Sequence, residues 1–348
     1  MERQRITKPL SLQMRERVNT KTKKEELDGN FKTIISTGST LLDLSLSGGR
    51  VRGGGLPGGI LVEIFGPSGS GKTVLLSEIA GAVQRLGGDA IFYDPEARLD
   101  KTFAKLFGLQ INEENYKRPN KVTEVFQAVR NWEPKDPNII NGVFADSLTA
   151  LSTTMEMDNV EGDRMGGRRA KEFSEELRRT CRIIADKNYL MVCSNQTRQK
   201  MDAGPYEQKW TVPGGEAMTF YPSIRLKFNK PNKIWQKEKV AGKEVKRVIG
   251  VEVDIEVFKS SIWKPFHIAP VTILFDYGID DIRQNLQFMK DHTGAKVYIF
   301  ENTPLSNSME ESIHLIEQDK LEQRLRNEVI ELWEDIESKF KQERKPKR

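Results

Sequence analysis

Residues 66–73 constrain the fold of this chain more than any other feature. Their sequence, GPSGSGKT, matches the pattern GxxxxGK[ST] in full. The apolar residues 61–65 precede it and predict a strand, and the following TVLLSEIAGAVQRL predicts a helix. The glycines let the backbone wrap a phosphate with its N–H groups pointing inward, and the helix adds its positive dipole end. The motif therefore predicts a nucleotide site in which Lys72 reaches the phosphates and Thr73 ligates Mg²⁺.

The rest of the core alternates between strands and helices. Strands are predicted at residues 89–94, 141–146, 189–196, 251–257 and 271–275, and helices at residues 101–108, 122–132 and 168–187. Such alternation is typical of an α/β fold with a mostly parallel central sheet flanked by helices. The glycine-rich residues 48–59 are either a flexible linker or a loop inside the domain, and we favour the loop because they lead directly into a strand.

Polar residues that end predicted strands complete the expected site. A strand-terminal aspartate beside the phosphate loop holds the metal in this type of site, and Asp146 and Asp94 are rival candidates, with Asp146 preferred. Glu96 follows the strand that ends at Asp94 and is placed to act as a general base toward water. Gln196 ends another strand and is a candidate sensor of the γ-phosphate.

Composition excludes several classes of protein. The 348 residues include 55 Lys and Arg against 50 Asp and Glu, and the resulting net charge of +5 does not by itself indicate nucleic acid. No window approaches 18 uncharged apolar residues, so neither a transmembrane helix nor a membrane partner is expected. Two cysteines without a CxxC pattern and three scattered histidines disfavour a zinc site or a disulfide scaffold and indicate a reducing, cytoplasmic compartment.

The chain divides into three predicted regions. Residues 1–33 form a polar, helix-forming arm with nine basic and five acidic residues, which must dock on another surface or fray. Residues 34–280 form the core. Residues 281–348 form a small C-terminal domain with an acidic stretch at 301–337 and a basic tail at 338–348.

Several segments together resemble the bacterial RecA recombinase family. They are ISTGSTLLDLSL and GGLPGG before the phosphate loop, GPSGSGKT itself, YDPEARLD, ADSLTAL, EGDRMGG, SNQTRQK, PGGEAMTFYPSIRL, VFKSSIWKPF and ILFDYGI. The resemblance covers roughly residues 35–280 and implies a RecA-type P-loop ATPase core, an N-terminal helical oligomerisation arm and a small C-terminal α/β domain.

The resemblance assigns roles at the nucleotide site. It implies ATP and Mg²⁺ as ligands, Glu96 as the catalytic glutamate, Thr73 and Asp146 as metal ligands, and Gln196 as the link between the γ-phosphate and the second DNA-binding loop. Phe103 stands where the family usually has a tyrosine that stacks on adenine, and it keeps the aromatic face without the hydroxyl. The implied ATP-binding residues are Gly66, Pro67, Ser68, Gly69, Ser70, Gly71, Lys72, Thr73, Asp100 and Phe103.

Two loops, at residues 157–167 and 197–213, become candidates for DNA binding. Cations there and in the flanking segments are suited to phosphates, and Met165 and Met201 are suited to wedging between bases. The family match favours Lys171, Ser174, Arg178, Arg198, Gly214 and Gly215 as backbone contacts, and the chemistry of the loops adds Met165, Arg168, Arg169, Lys200 and Met201. The alternative is that the positive residues at 168–182 form a solvated helix face paired with Glu172, Glu175 and Glu176.

One departure from the family pattern affects hydrolysis. The family usually carries two lysines, two residues apart, that reach the γ-phosphate bound by a neighbouring subunit. Here Lys259 fills the first position, but Ser261 occupies the second. Lys264 lies three residues further on and is a possible substitute. A missing cation would weaken stabilisation of the transition state.

The leading interpretation is a DNA-dependent ATPase that acts as a recombinase in DNA repair. It would form a helical homo-oligomer on single-stranded DNA and pair that strand with homologous double-stranded DNA. One alternative is a ring-forming motor with the same core, such as a helicase or repair ATPase. Another is an ATP-gated scaffold for single-stranded DNA that hydrolyses slowly, which Ser261 keeps open.

Overall fold

The computed structural model describes residues 33–152, 165–199, 210–211, 217–342 and 344. Within this part, the side chains of residues 149, 165–169, 198–199 and 210–211 are not described. Residues 1–32 of the predicted arm, and most of the two predicted DNA-binding loops, therefore lie outside the described residues.

Most of the strands belong to one large sheet. The strands are β1 (Ile34–Ile35), β2 (Leu56–Pro57), β3 (Ile60–Gly66), β4 (Ala90–Tyr93), β5 (Tyr116–Lys117), β6 (Asn141–Ala145), β7 (Tyr189–Gln196), β8 (Arg198–Gln199), β9 (Trp210–Thr211), β10 (Ile224–Phe228), β11 (Asn232–Val240), β12 (Lys243–Ser260), β13 (Ile268–Leu274), β14 (Gly278–Ile279), β15 (Ile299–Phe300) and β16 (Thr303–Pro304).

The α-helices alternate with these strands through the core and dominate the C-terminal region. They are α1 (Thr40–Ser47), α2 (Lys72–Arg85), α3 (Lys101–Leu106), α4 (Val122–Asn131), α5 (Met165–Asp186), α6 (Ala217–Phe220), α7 (Asp281–Thr293), α8 (Met309–Gln318) and α9 (Glu322–Lys339). None of the helices in the described residues is both long and apolar enough to cross a membrane.

The central sheet contains ten strands in the order β14-β13-β12-β10-β3-β7-β6-β4-β5, with β11 paired on β12. The pairs from β10 through β5 are parallel, whereas β12 and β13 pair antiparallel with their neighbours. The expectation of an α/β fold with a mostly parallel sheet is confirmed. Because β3, β7, β6 and β4 are parallel, their carboxyl ends meet at one edge, where ligands of open α/β sheets bind.

Helices α4 and α5 cover the sheet through a shared apolar cluster. Their buried side chains meet those of β6 and β7, and together they exclude water from that face of the sheet. The cluster includes Val125, Phe126, Val129, Val143, Phe173, Leu177, Tyr189 and Met191. Packing of this kind fixes the sheet, and hence the positions of the residues that end its strands.

The glycine-rich segment is a packed loop and not a flexible linker. Gly54 has φ +63°, and a Cβ atom added there would lie 1.9 Å from the carbonyl oxygen of Asp43. The Gly55 N–H donates to the same carbonyl oxygen at 3.0 Å, and Leu56–Pro57 then pairs with Ile34–Ile35. Glycine is therefore required at residue 54, where the loop crosses helix α1.

The C-terminal helices pack against the start of the core. Helix α9 contacts α1 and α7. The carboxylate of Asp281, at the start of α7, accepts hydrogen bonds from the Thr40 N–H at 2.6 Å and the Thr40 hydroxyl at 2.7 Å. Arg326 of α9 lies 3.0 Å from the buried carboxylate of Asp43. Polar contacts as well as apolar packing therefore hold residues 281–339 on helix α1.

Candidate functional site

The predicted phosphate loop connects the end of β3 to the start of α2. Gly71 precedes the first helical residue, with φ +93°, and a Cβ atom there would lie 2.2 Å from Cδ1 of Ile273. The Ser70 hydroxyl donates to the Pro67 carbonyl oxygen at 2.9 Å, which closes the loop on itself. The N–H groups of the first helical turn have no partner within the helix and face this loop, as an anion requires.

Lys72 lies inside the loop. Its Nζ donates to the carbonyl oxygens of Pro67 at 2.6 Å and Gly66 at 3.2 Å, and the side chain is buried. Burial lowers the pKa of Lys72, and the nearby charge of Asp146 acts in the opposite direction. A buried ammonium held by carbonyl oxygens is suited to receive a phosphate, whose negative charge would balance its own.

Thr73 and Asp146 are in direct contact. The Thr73 hydroxyl donates to one carboxylate oxygen of Asp146 at 2.6 Å, and the Ser194 hydroxyl donates to the other. The Asp146 N–H is held by the Tyr93 carbonyl oxygen at 2.9 Å. A hydroxyl and a carboxylate beside a phosphate loop are the oxygen donors that Mg²⁺ prefers, so these residues fit that ion.

Asp94, the rival of Asp146, is engaged elsewhere. Its buried carboxylate accepts hydrogen bonds from the Tyr116 hydroxyl and the Leu99 N–H, each at 2.8 Å. These bonds close the segment after β4, which carries Glu96. Asp94 therefore shapes the loop, while Asp146 is the carboxylate that contacts Thr73.

Glu96 follows β4 at the same edge of the sheet. Its side chain is 26% exposed and pairs with Arg98 across 3.3 Å. Exposure on this scale leaves the carboxylate accessible to water, which a general base toward water needs.

The two residues predicted to contact adenine lie at the start of α3. Asp100 caps the helix by accepting the Thr102 and Phe103 N–H groups at 2.7 and 2.8 Å, and it borders a cavity of about 570 Å³. Phe103 is partly exposed and packs edge to face against Phe107, with the ring centroids 4.4 Å apart.

Gln196 lies beside the phosphate loop, because the register of β3 and β7 pairs it with Gly66. The residue before it, Asn195, donates to the buried carboxylate of Glu63 at 2.6 Å, and Arg225 pairs with that carboxylate at 2.6 Å. Burial raises the pKa of Glu63, and Arg225 opposes this effect. A buried ionic network therefore links β3, β7 and β10 directly beneath Gln196.

Sequence patterns did not identify Ser194, Asn195, Glu63 and Arg225 as members of the site. The only available signal for Ser194 and Asn195 was their place beside Gln196 at the end of a buried strand. Glu63 and Arg225 are charged residues within apolar strands, a pattern that indicates a buried pair but does not identify its partners.

Lys259 is held by the C-terminus of helix α6. Its Nζ donates to the Phe220 carbonyl oxygen at 2.6 Å and the Thr219 carbonyl oxygen at 3.1 Å. Burial lowers the pKa of Lys259, and repulsion from Arg225 lowers it further. Lys264, the proposed substitute for the missing second lysine, pairs instead with Glu337 of α9 at 3.3 Å.

Helix α5 displays part of the predicted DNA-contact set. Lys171 and Arg178 are exposed and Ser174 is half-buried. Glu176 is buried and pairs with Arg130 of α4 at 2.5 Å, and it also lies 3.8 Å from Arg179, an exposed residue of the same helix. The pairing of Glu176 with Arg179, three residues further along the helix, is of the kind that the alternative of a solvated, paired helix face predicts.

The remaining predicted DNA contacts fall wholly or partly outside the described residues. The backbones of Met165, Arg168 and Arg169 begin helix α5, and that of Arg198 lies in β8, which pairs with β9. Their side chains, and Lys200, Met201, Gly214 and Gly215 entirely, lie beyond what the structure describes.

Comparison with known proteins matches the geometry. A family model described as the RecA N-terminal domain matches residues 17–280. Protein RecA of Thermus thermophilus is 33% identical over 249 residues, which cover 72% of this chain and 69% of that protein. Protein RecA of Lactobacillus delbrueckii is 32% identical over 267 residues, which cover 77% of this chain and 76% of that protein.

Proposed function

The chain belongs to the RecA family, and on that premise we propose that it is a DNA-dependent ATPase that acts as a homologous recombinase in DNA repair. It forms helical filaments on single-stranded DNA and pairs that strand with homologous double-stranded DNA in the cytoplasm. The observation that carries the proposal is the contact of Thr73 with Asp146 beneath a closed phosphate loop.

Each residue of the site has a role in this proposal. Lys72 and the amides of the loop bind the β- and γ-phosphates of ATP, and Asp100 and Phe103 contact its base. Thr73 and Asp146 hold Mg²⁺, which neutralises charge on the phosphate oxygens when it is bound. Glu96 accepts a proton from the attacking water and orients it toward the γ-phosphate.

Gln196 and Lys259 connect hydrolysis to DNA and to the neighbouring subunit. Gln196 lies between the phosphate loop and the segment predicted to bind DNA, so a contact with the γ-phosphate would couple the two. Lys259 reaches the γ-phosphate bound by a neighbouring subunit. The predicted arm at residues 1–33 docks on that neighbour, which gives an open helical assembly.

Positive residues supply sequence-independent affinity for DNA. The exposed Lys171 and Arg178 of α5, with Ser174 between them, follow the first predicted loop. We place the other DNA contacts at Met165, Arg168, Arg169, Arg198, Lys200, Met201, Gly214 and Gly215. Their phosphate contacts would make binding depend strongly on salt.

A second candidate function is an ATP-gated scaffold that hydrolyses slowly. Two contacts favour it: Lys259 is engaged by carbonyl oxygens of its own chain, and Lys264 is engaged by Glu337. With Ser261 at the second lysine position, no other cation of this segment is left to replace the missing charge. A weak contribution from the neighbouring subunit would slow hydrolysis without preventing ATP binding.

A D-loop assay tests the proposal directly. The protein is incubated with a labelled single strand, ATP and supercoiled duplex that is either homologous or heterologous to the strand. If the protein is a recombinase, product should form only with the homologous duplex. A motor or a scaffold should give no product with either duplex. DNA-stimulated ATP turnover, compared with that of Glu96→Gln, separates an active enzyme from a slow scaffold, because this variant should bind ATP and fail to hydrolyse it.

A further inference from the structure

The loop after strand β4 carries two charged side chains at the edge of the sheet where the nucleotide is predicted to bind. Glu96 and Arg98 lie two residues apart, and a guanidinium nitrogen of Arg98 is 3.3 Å from a carboxylate oxygen of Glu96. The proposed function uses Glu96 as the base toward water and leaves Arg98 without a role. The side chain of Arg98 is 68% exposed, so little packing opposes a change of its partner.

The backbone of this loop is fixed, although its charged side chains are exposed. The buried carboxylate of Asp94 accepts hydrogen bonds from the Leu99 N–H and the Tyr116 hydroxyl, each at 2.8 Å. The Ala97 N–H donates to the Asp94 carbonyl oxygen at 3.2 Å, and Ala97 has φ +52°. A residue other than glycine keeps this left-handed conformation only where its surroundings hold it. The loop therefore presents both charged side chains from a rigid support.

Stability of the fold does not account for the guanidinium. An ion pair between exposed side chains contributes little, because water screens both charges. The hydrogen bonds of Asp94 close the loop without any contact from Arg98. A cation beside the predicted base therefore calls for a chemical explanation.

Hydrolysis of ATP provides one. The oxygen of water bonds to the γ-phosphorus, the bond from that phosphorus to the bridging oxygen breaks, and its electron pair leaves with ADP. Glu96 takes one proton of the water. Negative charge on the phosphate oxygens must be stabilised during this step, and a planar guanidinium can contact two such oxygens at once.

The other cations assigned to hydrolysis are engaged within the chain. Lys72 donates to carbonyl oxygens of the phosphate loop, and Lys259 donates to those at the end of α6. Lys264 pairs with a glutamate of α9. In the part of the chain that the structure describes, the one ionic partner of Arg98 is the predicted base itself.

We infer that Arg98 is a further catalytic residue, whose guanidinium contacts the γ-phosphate of ATP bound by the same chain and supplies the charge that Ser261 lacks. A terminal phosphate carries more negative charge than a carboxylate, so it attracts the guanidinium more strongly. The arriving phosphate takes Arg98 from Glu96 and leaves that carboxylate free to accept a proton. The inference rests on the proposed function, because it requires hydrolysis of ATP at this site.

The first test measures steady-state ATP hydrolysis by the full chain with single-stranded DNA. Arg98→Ala should lower kcat at least about tenfold, because the contact is strongest with the charge of the transition state. KM for ATP should stay within about threefold, since in the ground state the phosphate only replaces Glu96 as the partner. Arg98→Lys, which keeps the charge without the planar fork, should recover part of the loss in kcat.

A second test separates direct contact from an effect through Glu96. It measures affinity for ADP with aluminium fluoride, which imitates the transferring phosphoryl group. Arg98→Ala should lower this affinity at least about tenfold, and it should do so equally in the Glu96→Gln background. If Arg98 only held the base in place, its removal would cost nothing once that carboxylate is absent.

A third test asks whether Arg98 supplies the charge missing at residue 261. Ser261→Lys places a cation there and should raise kcat of Arg98→Ala at least about fivefold. In the wild-type background it should raise kcat less than about twofold, because the charge is already supplied.

Arg324→Ala is the matched control for Arg98→Ala. Arg324 is also exposed and pairs with a single glutamate, Glu301, but lies in the C-terminal region. Its loss should leave kcat unchanged. Thermal unfolding of both variants should match that of the wild type, since each removes an exposed ion pair.

Three results would overturn the inference. The first is wild-type kcat in Arg98→Ala. The second is a loss of affinity for ADP with aluminium fluoride that disappears in Glu96→Gln, which would make Arg98 a positioning residue. The third is the same effect of Ser261→Lys in both backgrounds, including no effect in either.

Failure of the proposed function gives a different pattern. A wild type without DNA-stimulated turnover would reject the ATPase, and Arg98 with it. Turnover that requires Glu96 but not Arg98 would reject the inference alone. Failure of homologous pairing in the D-loop assay, together with loss of turnover in Arg98→Ala, would reject the recombinase and keep the role of Arg98.

Discussion

At the scale of single residues, Lys72 makes the most direct prediction. Its ammonium donates to two carbonyl oxygens of the loop that is predicted to hold the phosphates. Lys72→Ala should weaken ATP binding by at least about tenfold, since a hydrogen bond to a charged group contributes about 1.5–3 kcal/mol. Titration with a fluorescent ATP analogue measures this loss, and nucleotide-dependent DNA binding should disappear with it.

Lys296→Ala is a control for this variant. Lys296 is an exposed lysine of the C-terminal region and makes no described contact with the loop. Normal filaments from Lys72→Ala would contradict the assignment of the phosphate loop.

A buried glutamate on α2 predicts how stability depends on pH. Burial raises the pKa of Glu78 to about 7, although the Ile279 N–H and Arg85 act in the opposite direction. Since the folded protein holds this proton more tightly than the unfolded chain, whose value is near 4.5, its contribution is fully present below about pH 4.5 and is lost as the pH rises toward 7. The loss is roughly 2–3 kcal/mol.

Glu78→Gln should remove this dependence. Urea unfolding should give similar stabilities for the variant and the wild type at pH 5, and a more stable variant at pH 8. Glu114→Gln, at an exposed position, serves as the control and should follow the wild type at both values. A wild-type protein whose stability rises steadily from pH 5 to pH 8 would disprove the role of Glu78.

The residues of the site differ in how far the sequence could identify them. The motif GPSGSGKT determines the loop because few other sequences allow that backbone path to a helix. The sequence could rank Asp146 above Asp94 as the metal ligand but could not decide between them, because each aspartate ends a strand. Only the folded structure shows that the Tyr116 hydroxyl is bonded to Asp94. The sequence could not decide whether Lys264 replaces the missing second lysine, because its partner Glu337 lies 73 residues away in the chain.

At the scale of secondary-structure elements, hydrophobic patterns succeeded where a strand or helix has a buried face. Strand β7 begins and ends where the sequence predicts, and β6, α3 and α4 agree within about two residues. Strand β11 was missed because its sequence, NKIWQKEKV, is polar on both faces and carries no period-2 apolar signal. Its pairing with β12 is a tertiary contact, which a local sequence pattern does not predict.

The hydrogen bonds of Lys259, on β12, to the end of α6 predict that substitution of this lysine lowers activity more than stability. Lys259→Ala removes two hydrogen bonds to the end of α6, so the free energy of unfolding should fall by only about 1–2 kcal/mol. DNA-stimulated ATP turnover should fall at least tenfold if this lysine acts on the nucleotide of a neighbouring subunit, an effect of the size that such cations supply.

Lys227→Ala is the matched control for that variant, because Lys227 is also half-buried, lies 5.9 Å from the Phe258 ring and pairs with Glu256. It should lose similar stability and keep its turnover. Equal losses of stability and turnover in both variants would leave Lys259 with a purely structural role.

At the scale of the whole molecule, the net charge of +5 is the small remainder of large local imbalances. The acidic stretch at 301–337 faces basic residues of the core: Arg52 pairs with Glu331 and Glu334, and Lys264 pairs with Glu337. Strand β11 and the first part of β12, residues 232–249, are positive and have no such acidic partner among the described residues of the core. Charge distribution, which the total conceals, thus separates a surface that the protein neutralises itself from one that stays positive.

A further long-range ion pair, with a buried carboxylate, joins helix α9 to helix α1. The carboxylate of Asp43 is fully buried, accepts hydrogen bonds from Thr37 and Ser36, and lies 3.0 Å from the guanidinium of Arg326. Burial raises the pKa of Asp43, and Arg326 opposes that effect. Removing Arg326 would leave a buried carboxylate without its counter-charge, the most damaging way to break such a pair.

Arg326→Met should therefore lower the free energy of unfolding by about 2–3 kcal/mol, whereas Arg324→Met, which breaks an exposed pair with Glu301, should cost less than about 1 kcal/mol. The pKa of Asp43 would rise further in Arg326→Met, so its defect should be smaller at pH 5 than at pH 7, because protonation relieves the buried charge. Urea unfolding of both variants at the two pH values measures this. Equal defects in the two variants, independent of pH, would mean that the C-terminal helices are held by apolar packing alone.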